Sequence, residues 1–318
     1  MAGLDFEKPI AELEKKIQEL RGFTSAGQKI DLSSEVKRLE EKLESLKKDI
    51  YSQLTPWQRV QIARHPQRPY TLDYIRMLFT DFVELHGDRL FADDRALIGG
   101  FAKFEGRNVM VMGHQKGRDL KDNLNRNFGC AHPEGYRKAL RLMQMAEKFG
   151  LPVIIFIDTP GAYPGIGAEE RGQAQAIAFN LREMVAIGVP IVATVIGEGG
   201  SGGALGIGVA DKVMVMENAY YSVISPEGCA AILWKSSTKA STAAEVLKLT
   251  GPDLMKLGII DQVIAEPMGG AHRDPVQAGA AVKEGVKRWL KELTPLKTAD
   301  LLEQRYRKYR TMGVFAES

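Results

Sequence analysis

Apolar positions recur at helical spacing through the first fifty residues. Ile10, Leu13, Ile17 and Leu20 follow a 3-4-3 spacing, and Val36, Leu39, Leu43, Leu46 and Ile50 repeat it, so each set lines one helix face. Glu12 with Lys16 and Glu44 with Lys48 add i,i+4 pairs in the favourable order. Gly22 to Gly27 interrupts the pattern. The expectation is a helical hairpin or arm over residues 1–55, packed through a narrow apolar seam on its own domain or in an oligomer.

The pattern then changes. Residues 56–94 are rich in arginine, aromatics and proline; the prolines argue against continuous helix, although 72–85 has room for one. Residues 97–104 and 108–113 read as two strands joined at Glu105-Gly106-Arg107. Residues 133–149 return to helical spacing, with Tyr136, Leu140, Met143 and Ala146 on one face. After that a unit repeats: buried strand, glycine turn, helix. Val153-Ile154-Ile155-Phe156-Ile157 leads through Asp158-Thr159-Pro160-Gly161-Ala162-Tyr163-Pro164-Gly165 towards a helix at 168–187. Ile191-Val192-Ala193-Thr194-Val195-Ile196 leads through Gly197-Glu198-Gly199-Gly200-Ser201-Gly202-Gly203 to a short helix around 203–208. Short strands follow at 213–216 and 221–224, and Pro226 suits a first helical turn. Apolar strands alternating with helices indicate an α/β domain with a largely parallel sheet, over residues 56–318 with charged helices at its end.

Composition narrows the function more by exclusion than by assertion. The 318 residues, 44% hydrophobic and 26% charged, are those of an ordinary globular protein with a sizeable core. A formal charge of +3 is too small to argue for nucleic acid. Cys130 and Cys229, the only cysteines, cannot make a zinc cluster by themselves, so no metal is expected in this chain. Residues 1–7 carry no signal-peptide pattern and no apolar run reaches 18 residues, so the expectation is a cytoplasmic protein without a membrane span.

The chemistry concentrates in the two glycine turns. Glycine at this density costs conformational entropy and marks backbone that takes unusual angles or lets another molecule approach. The second turn fits three readings. As G-x-G-x-x-G after a strand, with Glu217 about twenty residues on, it is a dinucleotide fingerprint, though with a short crossover to the next strand. As Gly199-Gly200-Ser201-Gly202-Gly203 it is a nucleophile elbow, with Asp253 or Asp261 and then His272 in hydrolase order; the alternative for Ser201 is a helix N-cap. The third reading is an oxyanion site built from backbone amides, which needs no reactive side chain.

Longer motifs carry a family resemblance. Arg64-His65-Pro66-Gln67-Arg68-Pro69-Tyr70-Thr71-Leu72-Asp73-Tyr74, Gly113-His114-Gln115-Lys116-Gly117-Arg118 and Pro133-Glu134-Gly135-Tyr136-Arg137-Lys138-Ala139-Leu140-Arg141-Leu142-Met143 are similar to segments of the bacterial acetyl-CoA carboxylase carboxyltransferase α-subunit family. So are both glycine turns and Ser225-Pro226-Glu227-Gly228-Cys229-Ala230-Ala231-Ile232-Leu233-Trp234-Lys235. The resemblance runs to about residue 295 and implies a crotonase-like ββα superhelix with an N-terminal helical extension. It implies transfer of a carboxyl group from carboxybiotin, carried by a separate biotin carboxyl carrier protein, to acetyl-CoA. The product is malonyl-CoA, in the first committed step of fatty acid biosynthesis. The partners it implies are a zinc-bearing β subunit in an α2β2 heterotetramer and a biotin carboxylase in the wider complex.

By the same resemblance, Gly202 and Gly203 are the catalytic positions, their amides binding the ureido carbonyl of carboxybiotin. Gly161, Ala162 and Tyr163 would shape the biotin end of the pocket, with a tight strand-to-helix reversal as the alternative. Glu198 is placed like a crotonase acid, but the implied mechanism requires none. Lys116, Arg118, Lys121, Arg126, Arg137, Lys138 and Arg141 form a basic cluster that attracts CoA phosphates or an acidic carrier, or is a solvated face or subunit contact. His114 and His132 in that region are ambiguous. Leu254-Met255-Lys256-Leu257 reads as an amphipathic helical turn, not a biotinylation site.

Overall fold

The computed structural model describes residues 4–25 and 32–313. Helices α1 (Lys8–Ser25) and α2 (Ser33–Ser52) pack through Ile10, Ile17, Leu39 and Leu43, an apolar seam separate from the main core. Helix α1 continues through Gly22; the rest of the expected break, from residue 26 on, lies outside the described residues. The hairpin meets the body of the chain where Tyr51 donates to Glu7 (2.7 Å) beside Arg273.

The proline-rich stretch is not a continuous helix, as expected, but it opens with a short one that was not foreseen, α3 (Pro56–Ala63). Pro56 occupies the first turn, where no amide is needed, and Thr55 and Gln58 close a capping box in front of it. Helix α4 (Thr71–Leu78) stops short of the span allowed for it. At Phe79 the backbone becomes extended, and β1 (Thr80–Glu84) pairs antiparallel with β2 (Leu97–Phe104). Strand β3 (Arg107–His114) completes the hairpin through Glu105 and Gly106, both at positive φ (48° and 80°), as a tight two-residue turn requires.

The chain continues with α5 (Leu120–Asn125), α6 (Pro133–Lys148), β4 (Val153–Thr159), α7 (Ile166–Glu170), α8 (Gln173–Met184), β5 (Ile191–Gly200) and α9 (Ser201–Leu205). The single helix expected at 168–187 is two, divided at Gly172, whose φ of 78° no helix interior accepts. Then come β6 (Lys212–Met216), β7 (Tyr220–Ser222), α10 (Pro226–Trp234), α11 (Ala240–Val246), α12 (Gly251–Lys256), β8 (Gln262–Ile264), α13 (Pro275–Leu293) and α14 (Thr298–Arg310).

Among the described residues eight strands form one sheet in the order β1-β2-β3-β4-β5-β6-β8, with β7 also on β5. Pairing is antiparallel from β1 to β3 and parallel onward. Strands β4 and β5 lie at the centre and are buried at every residue, as unbroken Val/Ile runs predict for a parallel sheet covered on both faces. The last helix is fixed by Arg305, fully buried, which pairs with Asp211 (2.8 Å) and donates to the carbonyls of Met184, Ile187 and Val189. Among the described residues no helix is long and apolar enough to cross a membrane.

Candidate active site

The two glycine turns leave the same ends of adjacent parallel strands, the edge at which α/β sheets bind ligands. Register runs evenly from Val153 opposite Ile191 to Ile157 opposite Val195, then slips, so that Thr159 faces Gly199. The second turn therefore begins later than its glycines suggest. Residues 197–200 remain in β5, where Glu198, Gly199 and Gly200 pair with Tyr220, Tyr221 and Ser222 of β7. That partner is brought in by the fold, which is why spacing alone read these residues as a turn.

The turns touch backbone to backbone. A Cβ on Gly200 would stand 2.2 Å from the Pro160 oxygen, and one on Gly203 would stand 2.4 Å from the Gly161 carbonyl carbon and 2.6 Å from the Ala162 nitrogen. Neither position has room for a side chain. Gly202 differs: its Cβ would meet only Ile177 Cδ1, at 3.5 Å. Gly161 and Ala162 are thus brought against Gly203, whereas Tyr163 turns to another segment. Its ring stacks on His132 (4.1 Å between centroids), and its N–H donates to the Ala131 carbonyl.

As first-turn residues of α9, Ser201, Gly202 and Gly203 have N–H groups with no intrahelical acceptor. Beside them lies a largely apolar cavity of about 420 Å³, lined by Gly202, Leu205, Tyr221, Leu254, Ile259 and Met312 among others. Of the five site residues expected from sequence, only Gly202 lines it. Leu254 reaches it from α12, so the Leu254–Leu257 stretch is helical as read.

Ser201 is not the helix cap. The cap is Gly200, and Ser201 is the first helical residue, exposed and at φ 50°. That strand-to-helix backbone suits an elbow, but no triad forms. His272 stacks on His65 (3.8 Å) and neither of its buried ring nitrogens has a hydrogen-bond partner. Asp253 is held by Thr250, and Asp261 by Lys308 and the Val213 amide. Cys130 is pushed up to about 11 by burial and is a neutral thiol.

Beneath the turns lies an ionic network that sequence reading missed. Lys116 Nζ donates to Asp158 Oδ1 (2.7 Å) and Glu198 Oε1 (2.8 Å), and the Glu198 amide also donates to Asp158 Oδ1 (2.9 Å). Glu198 Oε2 accepts from Arg64 Nε and from the Tyr220 hydroxyl, both at 2.7 Å. Arg64 goes on to Glu227 of α10. Arg68, fully buried and paired with Glu266, donates to the Ile196 carbonyl (2.6 Å). The Arg64–Tyr74 motif therefore buttresses β5 at its slip. Its two arginines, four residues apart in the segment that follows α3, were the signal available.

Burial alone would raise the Glu198 carboxyl, but Lys116 and Arg64, with hydrogen bonds from Lys116 and Tyr220, hold it down to about 2. It is a fixed anion with both oxygens engaged, unsuited to donate a proton. Burial, aided by the Lys116 charge, pushes the fully buried His114 down to about 3, so its ring is neutral. The basic cluster is mostly committed internally: Arg118 to Asp73, Arg126 to Asp122, Arg137 to Asp88 and the fully buried Lys138 to Asp93. Lys121 is exposed, but most of these cations face carboxylates of this chain and form no open anion site. Among the described residues no cluster of three His, Cys, Asp or Glu side chains is placed to hold a metal ion.

The fold is that of crotonase-type carboxyltransferases. Transcarboxylase 12S, crystallised with methylmalonyl-coenzyme A, superposes with a TM-score of 0.59 at 18% identity, over 75% of this chain and 45% of its own. This chain thus spans a little under half the length of that one. A Pseudomonas malonate decarboxylase hetero-tetramer in complex with coenzyme A superposes at 0.54 with 16% identity, over 67% of this chain and 85% of that one. Sequence takes the assignment further. Residues 3–313 match the acetyl co-enzyme A carboxylase carboxyltransferase-like family model, and the chain belongs to that family. Among its relatives, the acetyl-coenzyme A carboxylase carboxyl transferase subunit alpha of Geobacter metallireducens is 59% identical over 99% of this chain and 98% of its own. That of Actinobacillus pleuropneumoniae serotype 5b is 60% identical over 98% of each. The dinucleotide and hydrolase readings fall away, and the chain is the α-type component of a carboxyltransferase.

Proposed function

We propose that this chain transfers the carboxyl group of carboxybiotin, presented by a separate carrier protein, to acetyl-CoA, and that its part is to hold the biotin end of the reaction. One observation carries the reading: two strand ends are pressed backbone to backbone, and the helix that opens there has first-turn amides without intrahelical acceptors and places Ser201 and Gly202 on the lining of an apolar cavity. A bicyclic urea with an alkyl stem has the matching chemistry, an oxygen acceptor on an apolar body. The Gly202 and Gly203 N–H groups donate to the ureido oxygen and stabilise the charge that develops there, each on the order of 3–4 kcal/mol by comparison with oxyanion-hole donors elsewhere. Gly161 and Ala162 fix the position of Gly203, and Tyr163 anchors the first turn to His132. Bound here, carboxybiotin would supply both the carboxyl group and, once that group has left, the base for the α-proton of the thioester, so no side chain of this chain is assigned that role.

The site is completed by a β subunit in an α2β2 assembly, with its own zinc module and thioester-binding amides, in the cytoplasm and alongside biotin carboxylase. Leu205 and Val223, which line the cavity and are 41% and 80% exposed, suit burial under a second polypeptide. Residues 1–55 form the accessory arm and 56–318 the transferase domain. The reading is tested by carboxyl transfer from malonyl-CoA to biocytin. Activity should appear when purified β subunit is added and be slight without it; full activity from the isolated chain would overturn it.

A further inference from the structure

The ladder between β5 and β4 slips a few residues before the candidate donors. Between the pairs Ile157–Val195 and Thr159–Gly199, β4 advances two residues and β5 four. A slip of this kind leaves backbone groups unpaired and lets the strand bow. Side chains take over those groups: Arg68 donates to the Ile196 carbonyl and Asp158 accepts from the Glu198 amide. Lys116 then joins the two sides, with one ammonium on Asp158, next to the last residue of β4, and on Glu198, within the slipped part of β5. The fit is close: a Cβ on Gly197 would stand 2.6 Å from Asp158 Oδ1, and one on Gly129 would stand 2.8 Å from Lys116 Cγ.

We infer that Lys116 is a positioning residue for carboxyl transfer, setting the separation of the two glycine turns by bridging Asp158 and Glu198. The inference rests on the reading above that the α9 amides do the chemistry. Lys116 touches no reacting atom in this account. Lys116 and Arg64 face Asp158 and Glu198, four charges that sum to zero in or near the interior, and Arg64 also pairs outward with the partly exposed Glu227. A buried, balanced network of this kind adds little net stability over apolar packing of the same volume; what it does supply is a fixed geometry. Here that geometry lies four to five residues before Gly202 and Gly203, on a stretch whose β4 side has lost its even ladder while β7 pairs the other side.

The test uses the complete chain assembled with its partner subunit and measures transfer from malonyl-CoA to biocytin. Lys116→Met should lower kcat by about 100-fold, as a displacement near 1 Å does elsewhere, with the KM for malonyl-CoA changed by less than about threefold. Because Lys116→Met strands two buried carboxylates, Lys116→Met/Asp158→Asn/Glu198→Gln is run beside it, removing all three charges at nearly constant shape. It should melt cooperatively, assemble normally and show the same loss in kcat with KM unmoved. A merely structural role would instead lower assembly or melting temperature and leave kcat per assembled complex intact. Either variant folded, assembled and near parental kcat overturns the inference, and so does failure of both to fold, which would make the cluster a folding element. An unmodified complex that transfers nothing refutes the carboxyltransferase reading itself; an active parent with an unimpaired variant refutes only the role of Lys116.

Discussion

Replacing Gly203 by alanine probes the contact on which the site depends. The new methyl would lie 2.4 Å from the Gly161 carbonyl carbon, 2.6 Å from the Ala162 nitrogen and 2.8 Å from the Gly161 oxygen. All three are backbone atoms, so no side chain can rotate away. Ordinary carbon contacts need about 3.5 Å, so the turns must part by about 1 Å. Overpacking of this kind costs about 1–3 kcal/mol, and the melting temperature should fall by a few degrees. Catalysis should suffer more. Misaiming one backbone donor costs about 10²–10³ in kcat, because the donor acts only where charge develops in the transition state. Gly202→Ala is the control for backbone effects: its methyl meets only Ile177 Cδ1 at 3.5 Å, and alanine in a helix should raise stability by about 0.4–1 kcal/mol. The assay pairs thermal melts with steady-state transfer from malonyl-CoA to biocytin by the assembled complex. A Gly203→Ala complex within about threefold of parental kcat would show that the turn-to-turn contact aims no donor, and the reasoning would fail.

Two further outcomes follow from buried charge. Arg305→Met leaves Asp211 without its partner in the interior and frees the carbonyls of Met184, Ile187 and Val189, so urea unfolding should report a loss of about 3–5 kcal/mol; a loss under about 1 kcal/mol would mean that water replaces the guanidinium there. His114 and His272 are both pushed down to about 3, chiefly by burial, from the ordinary 6.5. Between those values the unfolded chain binds protons that the folded chain refuses, so stability is full above about 6.5 and declines as pH falls towards 3. Melting temperature should therefore begin to drop before carboxylates titrate, and His114→Asn or His272→Gln should each flatten that slope; unchanged slopes in both would locate the acid sensitivity elsewhere.

Much of the architecture was legible along the chain. The hairpin seam, the β2–β3 turn, helix α6 and the buried strands β4 and β5 follow from spacing, because each depends on side chains a few residues apart. The misreadings lie where a distant partner decides. Thr80–Glu84 is a strand because β2 offers an edge, and Glu198–Gly200 is a strand because β7 does. Pro56 starts a helix because Thr55 and Gln58 cap it, a local signal that the density of prolines obscured.

The site divides in the same way. The sequence by itself determined that two strands lead into glycine-rich turns and, through its long motifs, which family the chain belongs to. Tertiary structure decided which glycines meet. It set Gly203 against Gly161 and Ala162, left Gly202 open to the cavity, turned Tyr163 towards His132, and gathered Arg64, Lys116, Asp158 and Glu198 from four segments into one network. Backbone donors have no side chain to recognise, and charge pairs closed across more than forty residues have no spacing to read; both become visible only when the sheet places their strands side by side.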